Sequence, residues 1–263
     1  MVELTALLTD LDAETDEVDA LVATRPPADW ARPTPSPGWT VAHQIAHLAW
    51  TDHLALLATT DDAALVNLLA PLADDPDHIV DKGAEGFLAP PDELRQRWLD
   101  GHRALATAIE QAPPGKRIPW FGNLLSPQSM VTARLMETWA HGLDIADALG
   151  VTRVPTDRLR HVAFLGFRTL GHSFLAHGKA APAEPVRVEL VAPDGGEWVF
   201  GPAGATDRLT GPALDFCLLV TQRRHPTDLA LVVEGPVATE WLQIAQAFAG
   251  PPGHGRGPAK AIS

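Results

Sequence analysis

Cysteine is almost absent: Cys217 stands alone, which rules out an intramolecular disulfide. Serine is scarce as well, with five in 263 residues. The chain has no G-x-S-x-G, no paired C-x-x-C, no G-x-x-x-x-G-K-[ST] and no G-x-G-x-x-G after a strand pattern. A covalent serine or cysteine nucleophile and a phosphate-cradling loop therefore lack their usual sequence frame. No run approaches the roughly eighteen consecutive apolar residues of a transmembrane helix. Basic residues are in deficit, Lys and Arg totalling 20 against 33 Asp and Glu for a net charge of -13, which argues against nucleic acid or an anionic membrane as principal partner. The amino terminus MVELTALLTDLDAETDE is acidic where a secretory signal is basic and then apolar, so a cytoplasmic protein is expected.

What is present is a 46% hydrophobic fraction, sufficient for a buried core in each of two domains. Residues 2–25 carry Leu4, Leu7, Leu8, Leu11, Val18 and Leu21 at helical spacing, and Pro26-Pro27 stops that helix. Thr40 is placed to cap a second helix running to about residue 58, and a short helical piece follows over 62–72. Residues 91–111 have helix-forming composition up to Pro113-Pro114-Gly115. Ser126-Pro127 starts a helix that Gly150 ends, and another is expected over 157–177. The period then changes to two: 186–191 and 197–200 alternate across PDGG as a β-hairpin. A helix at 211–224, a strand at 229–234 and a helix at 237–248 complete the reading, with PPGHGRGPAK as a loop or loose tail. The expected fold is a four-helix bundle over residues 1–180 followed by a small α+β domain over 181–263.

Histidine is the unusual resource, eleven in all, and it clusters. His43 and His47 lie one helical turn apart. The pattern superficially matches H-E-x-x-H, but Gln44 stands where a zinc protease needs a Glu general base, and an amide cannot take a proton from metal-bound water at neutral pH. Glu137 and His141 share one face of the 126–149 helix, with Asp144 and Asp147 within a further turn or two. Spacing alone leaves two readings of that pair, a chelate for one divalent ion or a surface ion pair. A further histidine from a facing helix, His47 or His43, would complete a set of two histidines and one carboxylate, with coordination positions open to water or substrate.

Pro37-Gly38-Trp39-Thr40-Val41 with Ala46-His47-Leu48, and then Glu137-Thr138-Trp139-Ala140-His141-Gly142-Leu143-Asp144-Ile145, resemble the two metal-binding segments of the DinB-like superfamily. The branch they are most similar to is the actinobacterial one that includes mycothiol-dependent maleylpyruvate isomerase. The resemblance implies a bundle that holds a divalent metal, usually zinc, through His47, Glu137 and His141, with His43 in a supporting or structural role. It also implies an arginine of the carboxy-terminal domain that serves the active site. Leu218-Leu219-Val220-Thr221-Gln222-Arg223-Arg224 resembles the end of that helix, making Arg223 the catalytic candidate and Arg224 the reserve, although Gln222 stands where Gly is expected. A helix-terminal arginine pair is also favoured by the helix dipole alone.

The expected function is that of a zinc-dependent enzyme acting on a small molecule, an S-transferase or isomerase using a low-molecular-weight thiol such as mycothiol. The alternatives are a thiol-independent metal-dependent hydrolase, lyase or cyclase, and a non-catalytic small-molecule or metal-binding protein. A homodimer is compatible with these readings.

Overall fold

The computed structural model of the chain describes residues 3–72, 74, 75, 78–253 and 255–259. Val2, His254 and Lys260, which belong to the expected first helix and tail, lie outside the described residues. The chain divides into two units, Met1–Arg153 and Val154–Ser263.

In the first unit four long helices run in sequence order: α1 (Leu4–Val22), then, after the short α2 (Pro27–Trp30), α3 (Val41–Thr60), and after α4 (Asp62–Leu69) and α5 (Ile79–Phe87), α6 (Pro91–Glu110). Strands β1 (Ile118–Trp120) and β2 (Asn123–Leu125) precede the fourth long helix, α7 (Pro127–Leu149). Helix α3 packs against α6 and α7, and α1 packs against α7. Between them lies a core that includes Val18, Val22, Ile45, Leu48, Leu94, Trp98 and Ile145. The expected caps are in place on α7: Ser126 Oγ accepts from the Ser129 N–H at 3.1 Å, Pro127 occupies the first turn, and Gly150 ends the helix at φ +68. Gly142 has a packing reason, since a Cβ there would stand 2.4 Å from Val18 Cγ2. Its hydrogen lets α1 lie close against α7 one residue beyond His141.

The short helix α2 was not anticipated, nor were helix α5 and the β1–β2 hairpin. Helix α5 packs on α3 through Gly83, where a Cβ would fall 2.3 Å from the Trp50 ring. Strands β1 and β2 form a tight antiparallel hairpin whose turn, Phe121-Gly122, holds φ of +41 and +79. That is a two-residue loop with positive φ at both positions, a geometry that matches strand twist but is strained for phenylalanine.

The second unit contains α8 (Leu159–Arg168), α9 (Leu170–Ala176), a sheet, α10 (Ala213–Val220) and α11 (Pro236–Ile244). The sheet is formed by β3 (Val186–Val191), β4 (Glu197–Phe200), β5 (Asp207–Pro212) and β6 (Val232–Glu234), in the order β4-β3-β5-β6. The 186–200 hairpin is present, whereas β5, which pairs parallel with β3, falls where the sequence shows no alternation and partly where a helix was expected. The division also falls earlier than the sequence boundary near 180. Helix α8 buries Leu159, Val162, Ala163 and Gly166, and packs on α10, with Gly166 directly against Val220. The expected single helix over 157–177 is interrupted at Thr169, whose Oγ1 donates to Leu165 O at 3.0 Å. The architecture is thus a helical bundle with a small sheet-containing carboxy-terminal region.

Candidate metal centre

The amino-terminal end of α3 builds one side of the centre. A tight loop over 33–40 is closed by the Thr34 N–H to Trp39 O hydrogen bond at 2.8 Å and by Thr34 Oγ1 to the same carbonyl at 3.0 Å. Gly38 turns the chain at φ +80. At the start of α3 the Thr40 N–H donates to His43 Nδ1 at 3.3 Å, with Thr40 Oγ1 2.8 Å from the same nitrogen. His43 therefore uses that nitrogen to satisfy the helix end. His47, one turn further in and 6% exposed, faces the bundle interior.

Helix α7 supplies the opposite side. Glu137 Oε2 lies 3.3 Å from His47 Nε2 and 3.2 Å from His141 Nε2. The two imidazole rings are 4.3 Å apart between centroids. One ligand atom from each of the three residues falls within 4.8 Å of the other two, so the structure brings His47, Glu137 and His141 together. Burial opposes ionisation of Glu137, but hydrogen bonds with His141 and His47 and their charges outweigh it and hold the carboxyl well below its usual range. Two imidazole nitrogens converging on one carboxylate oxygen form a pocket for positive charge.

The side chain of Gln44 decides how His141 can act. Gln44 is fully buried; its Nε2 donates to Thr34 Oγ1 at 2.9 Å, which fixes the amide orientation and aims Oε1 at His141 Nδ1, 2.5 Å away. Nδ1 then carries a proton, so in the neutral ring Nε2 holds the lone pair and, in place of the hydrogen bond it gives Glu137 when the ring is protonated, can face a cation. That is the arrangement a metal-ligating histidine needs. Two neutral imidazoles and a carboxylate form a donor set suited to zinc and leave coordination positions open. Trp39 covers these groups, with ring centroids 5.3 Å from His47 and 6.0 Å from His141, and is held by its Nε1–H to Asp81 Oδ1 at 2.8 Å. Replacing Gln44 with leucine is expected to weaken divalent-metal binding about 10–100-fold, because the ring loses its orienting acceptor. A competition titration against a chromophoric chelator measures this, and unchanged affinity would show that Gln44 does not set the tautomer.

Sequence reasoning treated Gln44 only as a missing general base and did not single out Trp39 as a wall of the site. Their shared signal is position, immediately around His43 and His47. It also passed over a buried ion pair between the same two helices: Arg134 Nε donates to Asp52 Oδ1 at 2.8 Å, with the side chains 1% and 3% exposed. Arg223 lies in the second unit, just past α10, with its Nη1 donating to Thr221 O at 2.7 Å. Gln222 adopts φ +57, and the N–H groups of Gln222 and Arg223 bond Leu219 O and Leu218 O. This is the left-handed helix ending where glycine is usual, with glutamine in its place.

The family model for the mycothiol maleylpyruvate isomerase N-terminal domain matches residues 11–146, more than half of the chain and all three converging side chains. The chain belongs to this family. A second model, for wyosine base formation, matches residues 182–234 in the second unit. Uncharacterized proteins from two strains of Mycobacterium tuberculosis are 52% identical over 248 residues, covering 94% of this chain and 96% of theirs. Crystal structures of a mycothiol-dependent maleylpyruvate isomerase and of a point mutant share the fold, with TM-scores of 0.57 and 0.58 at 17% and 16% identity. Each alignment covers 89% of this chain and 95% of the solved one. No described helix is long and apolar enough to cross a membrane.

Proposed function

We propose that this member of the family is a zinc-dependent enzyme that uses a low-molecular-weight thiol, of the mycothiol type, to isomerise a small molecule or, as an S-transferase, joins the intact thiol to it through sulfur. The observation that carries the reading is the convergence of His47, Glu137 and His141 on one point, with Gln44 fixing the His141 tautomer. When bound, zinc supplies a Lewis acid beside which a thiol ionises near neutral pH. Glu137 contributes the only negative charge among the three donors, so a divalent site retains one positive charge for an incoming thiolate. His47 and His141 serve as neutral donors, and His141 keeps its Nδ1 proton on Gln44 throughout. Trp39 presents an apolar face that limits water at the open side. Arg223 is proposed to pair with a carboxylate of substrate or cofactor through its planar guanidinium.

Cobalt-substituted protein titrated with mycothiol, with 2-mercaptoethanol as a simple control thiol, tests the thiol step. A sulfur-to-cobalt charge-transfer band is expected at lower concentrations of mycothiol than of the control, and it should be absent from Glu137→Gln protein. A cobalt spectrum that responds to neither thiol would favour a thiol-independent hydrolase, lyase or cyclase; failure to take up cobalt would point to a non-catalytic protein.

A further inference from the structure

The main chain of the loop over 33–40 is tied to both helices that carry the converging donors. Thr34 donates to Trp39 O through its N–H and its Oγ1, and the Trp39 N–H donates to Ser36 O at 3.0 Å. Gln44 of α3 holds Thr34 Oγ1 at 2.9 Å. Ser36 Oγ donates to Oδ2 of the fully buried Asp144 on α7 at 3.1 Å. The Trp39 side chain is fastened differently. Its ring is half-buried and leans on His47 and His141 with planes inclined at 52° and 24°, contacts that involve no hydrogen bond. Its polar tie is the Nε1–H to Asp81 Oδ1 at 2.8 Å, a bond on the exposed surface.

Asp81 stands in the first turn of α5. Two residues on, Gly83 is buried against the ring of Trp50, and the same ring lies 6.1 Å from that of His47. The missing Cβ at Gly83 thus seats α5 on a tryptophan that packs beside a donor of the centre, which fixes where Asp81 meets Trp39. The two ends of this arrangement differ in strength. Gly83 and Trp50 are held by burial, whereas Asp81 is exposed and its bond to the indole exchanges for bonds with water at little net cost.

We propose that the Trp39 side chain is a gate over the metal centre and that Asp81 is its latch, so that small ligands reach the open coordination positions when the indole leaves Asp81 and swings aside. The proposal rests on His47, Glu137 and His141 being the metal ligands. Moving the whole loop instead would break the Ser36 bond to buried Asp144 and the Thr34 bond to Gln44, and with the latter the group that orients His141. Rotating the indole about its own side-chain torsions breaks one exposed hydrogen bond and leaves the donors in place. Such rotations are fast for side chains near the surface, so the latch sets how much of the time the centre stands open.

Cobalt-loaded, full-length protein mixed with an excess of a chromophoric chelator in a stopped-flow instrument tests this, with metal transfer followed in time. Asp81→Ala should accelerate transfer roughly 3–10-fold, the change expected when one solvent-exposed hydrogen bond is lost. Cobalt uptake by the metal-free variant should accelerate by the same factor, leaving the equilibrium affinity unchanged. Asp81→Asn keeps an acceptor oxygen and should transfer cobalt at close to the wild-type rate. Trp39→Phe lacks the indole N–H, so adding Asp81→Ala to it should change nothing further, because both substitutions remove the same bond. The proposal is overturned if Asp81→Ala transfers cobalt at the wild-type rate, if it accelerates transfer as much in Trp39→Phe as in wild type, which would mark a loosened α5, or if affinity falls while the uptake rate stays constant. Wild-type protein that takes up no cobalt would overturn the ligand assignment itself, and the gate with it.

Discussion

Replacing Asp52 with alanine is expected to destabilise the first unit by about 3–5 kcal/mol, the range for leaving a buried charge without its partner. Arg134 is 1% exposed, and Asp52 Oδ1 is the acceptor of its Nε–H. Nη1 and Nη2 of the same guanidinium are buried without hydrogen-bond partners among the described residues. Removing the carboxylate therefore leaves the guanidinium charge uncompensated in an apolar surrounding. The double variant Asp52→Ala, Arg134→Met removes both charges and should recover most of the loss, since apolar replacement of a whole buried pair is often neutral or better. Urea denaturation of the metal-free protein measures both effects. An Asp52→Ala midpoint equal to wild type would show that the charge is balanced some other way. The pair also ties α3 to α7, the helices that carry His47 and Glu137, so a loosened pair should weaken metal binding as well.

The legible parts of the fold were those where local chemistry and burial agree. Ser126-Pro127 and Gly150 bracket α7 as caps that need no tertiary information, and Thr40 marks the start of α3. Strand β5 was hidden because Asp207-Arg208-Leu209-Thr210-Gly211-Pro212 shows charge, a glycine and a proline rather than an apolar alternation. Asp207 is nevertheless buried, because its Oδ1 accepts the Ala238 N–H at 3.0 Å, a partner 31 residues away. Helix α5 was missed for a similar reason: Gly83 and Gly86 weaken its propensity, while the contact of Gly83 with Trp50 stabilises it only once folded. The α8 boundary depended on Gly166 meeting Val220, which no local pattern reveals. In the site, residue types at helical spacing announced Glu137 and His141, and the resemblance selected His47 over His43. The role of Gln44 was not legible, because it depends on a partner 97 residues distant.

Of the two upstream histidines, His47 should be indispensable to the metal centre and His43 should not. His47 Nε2 faces Glu137 Oε2 at 3.3 Å and its ring stands 4.3 Å from that of His141. His43 instead directs Nδ1 at the backbone N–H of Thr40. Its removal costs a helix cap, worth about 0.5–2 kcal/mol of stability, without removing a donor from the centre. Losing an imidazole donor from a three-residue set should cost more than the roughly 10–100-fold expected for Gln44→Leu. The most direct test is the metal-to-protein ratio, measured by elemental analysis, of wild type, His43→Ala and His47→Ala purified side by side with limiting zinc. The account predicts close to one zinc ion per chain in wild type and His43→Ala and almost none in His47→Ala; equal zinc in all three, or loss in His43→Ala alone, would contradict it.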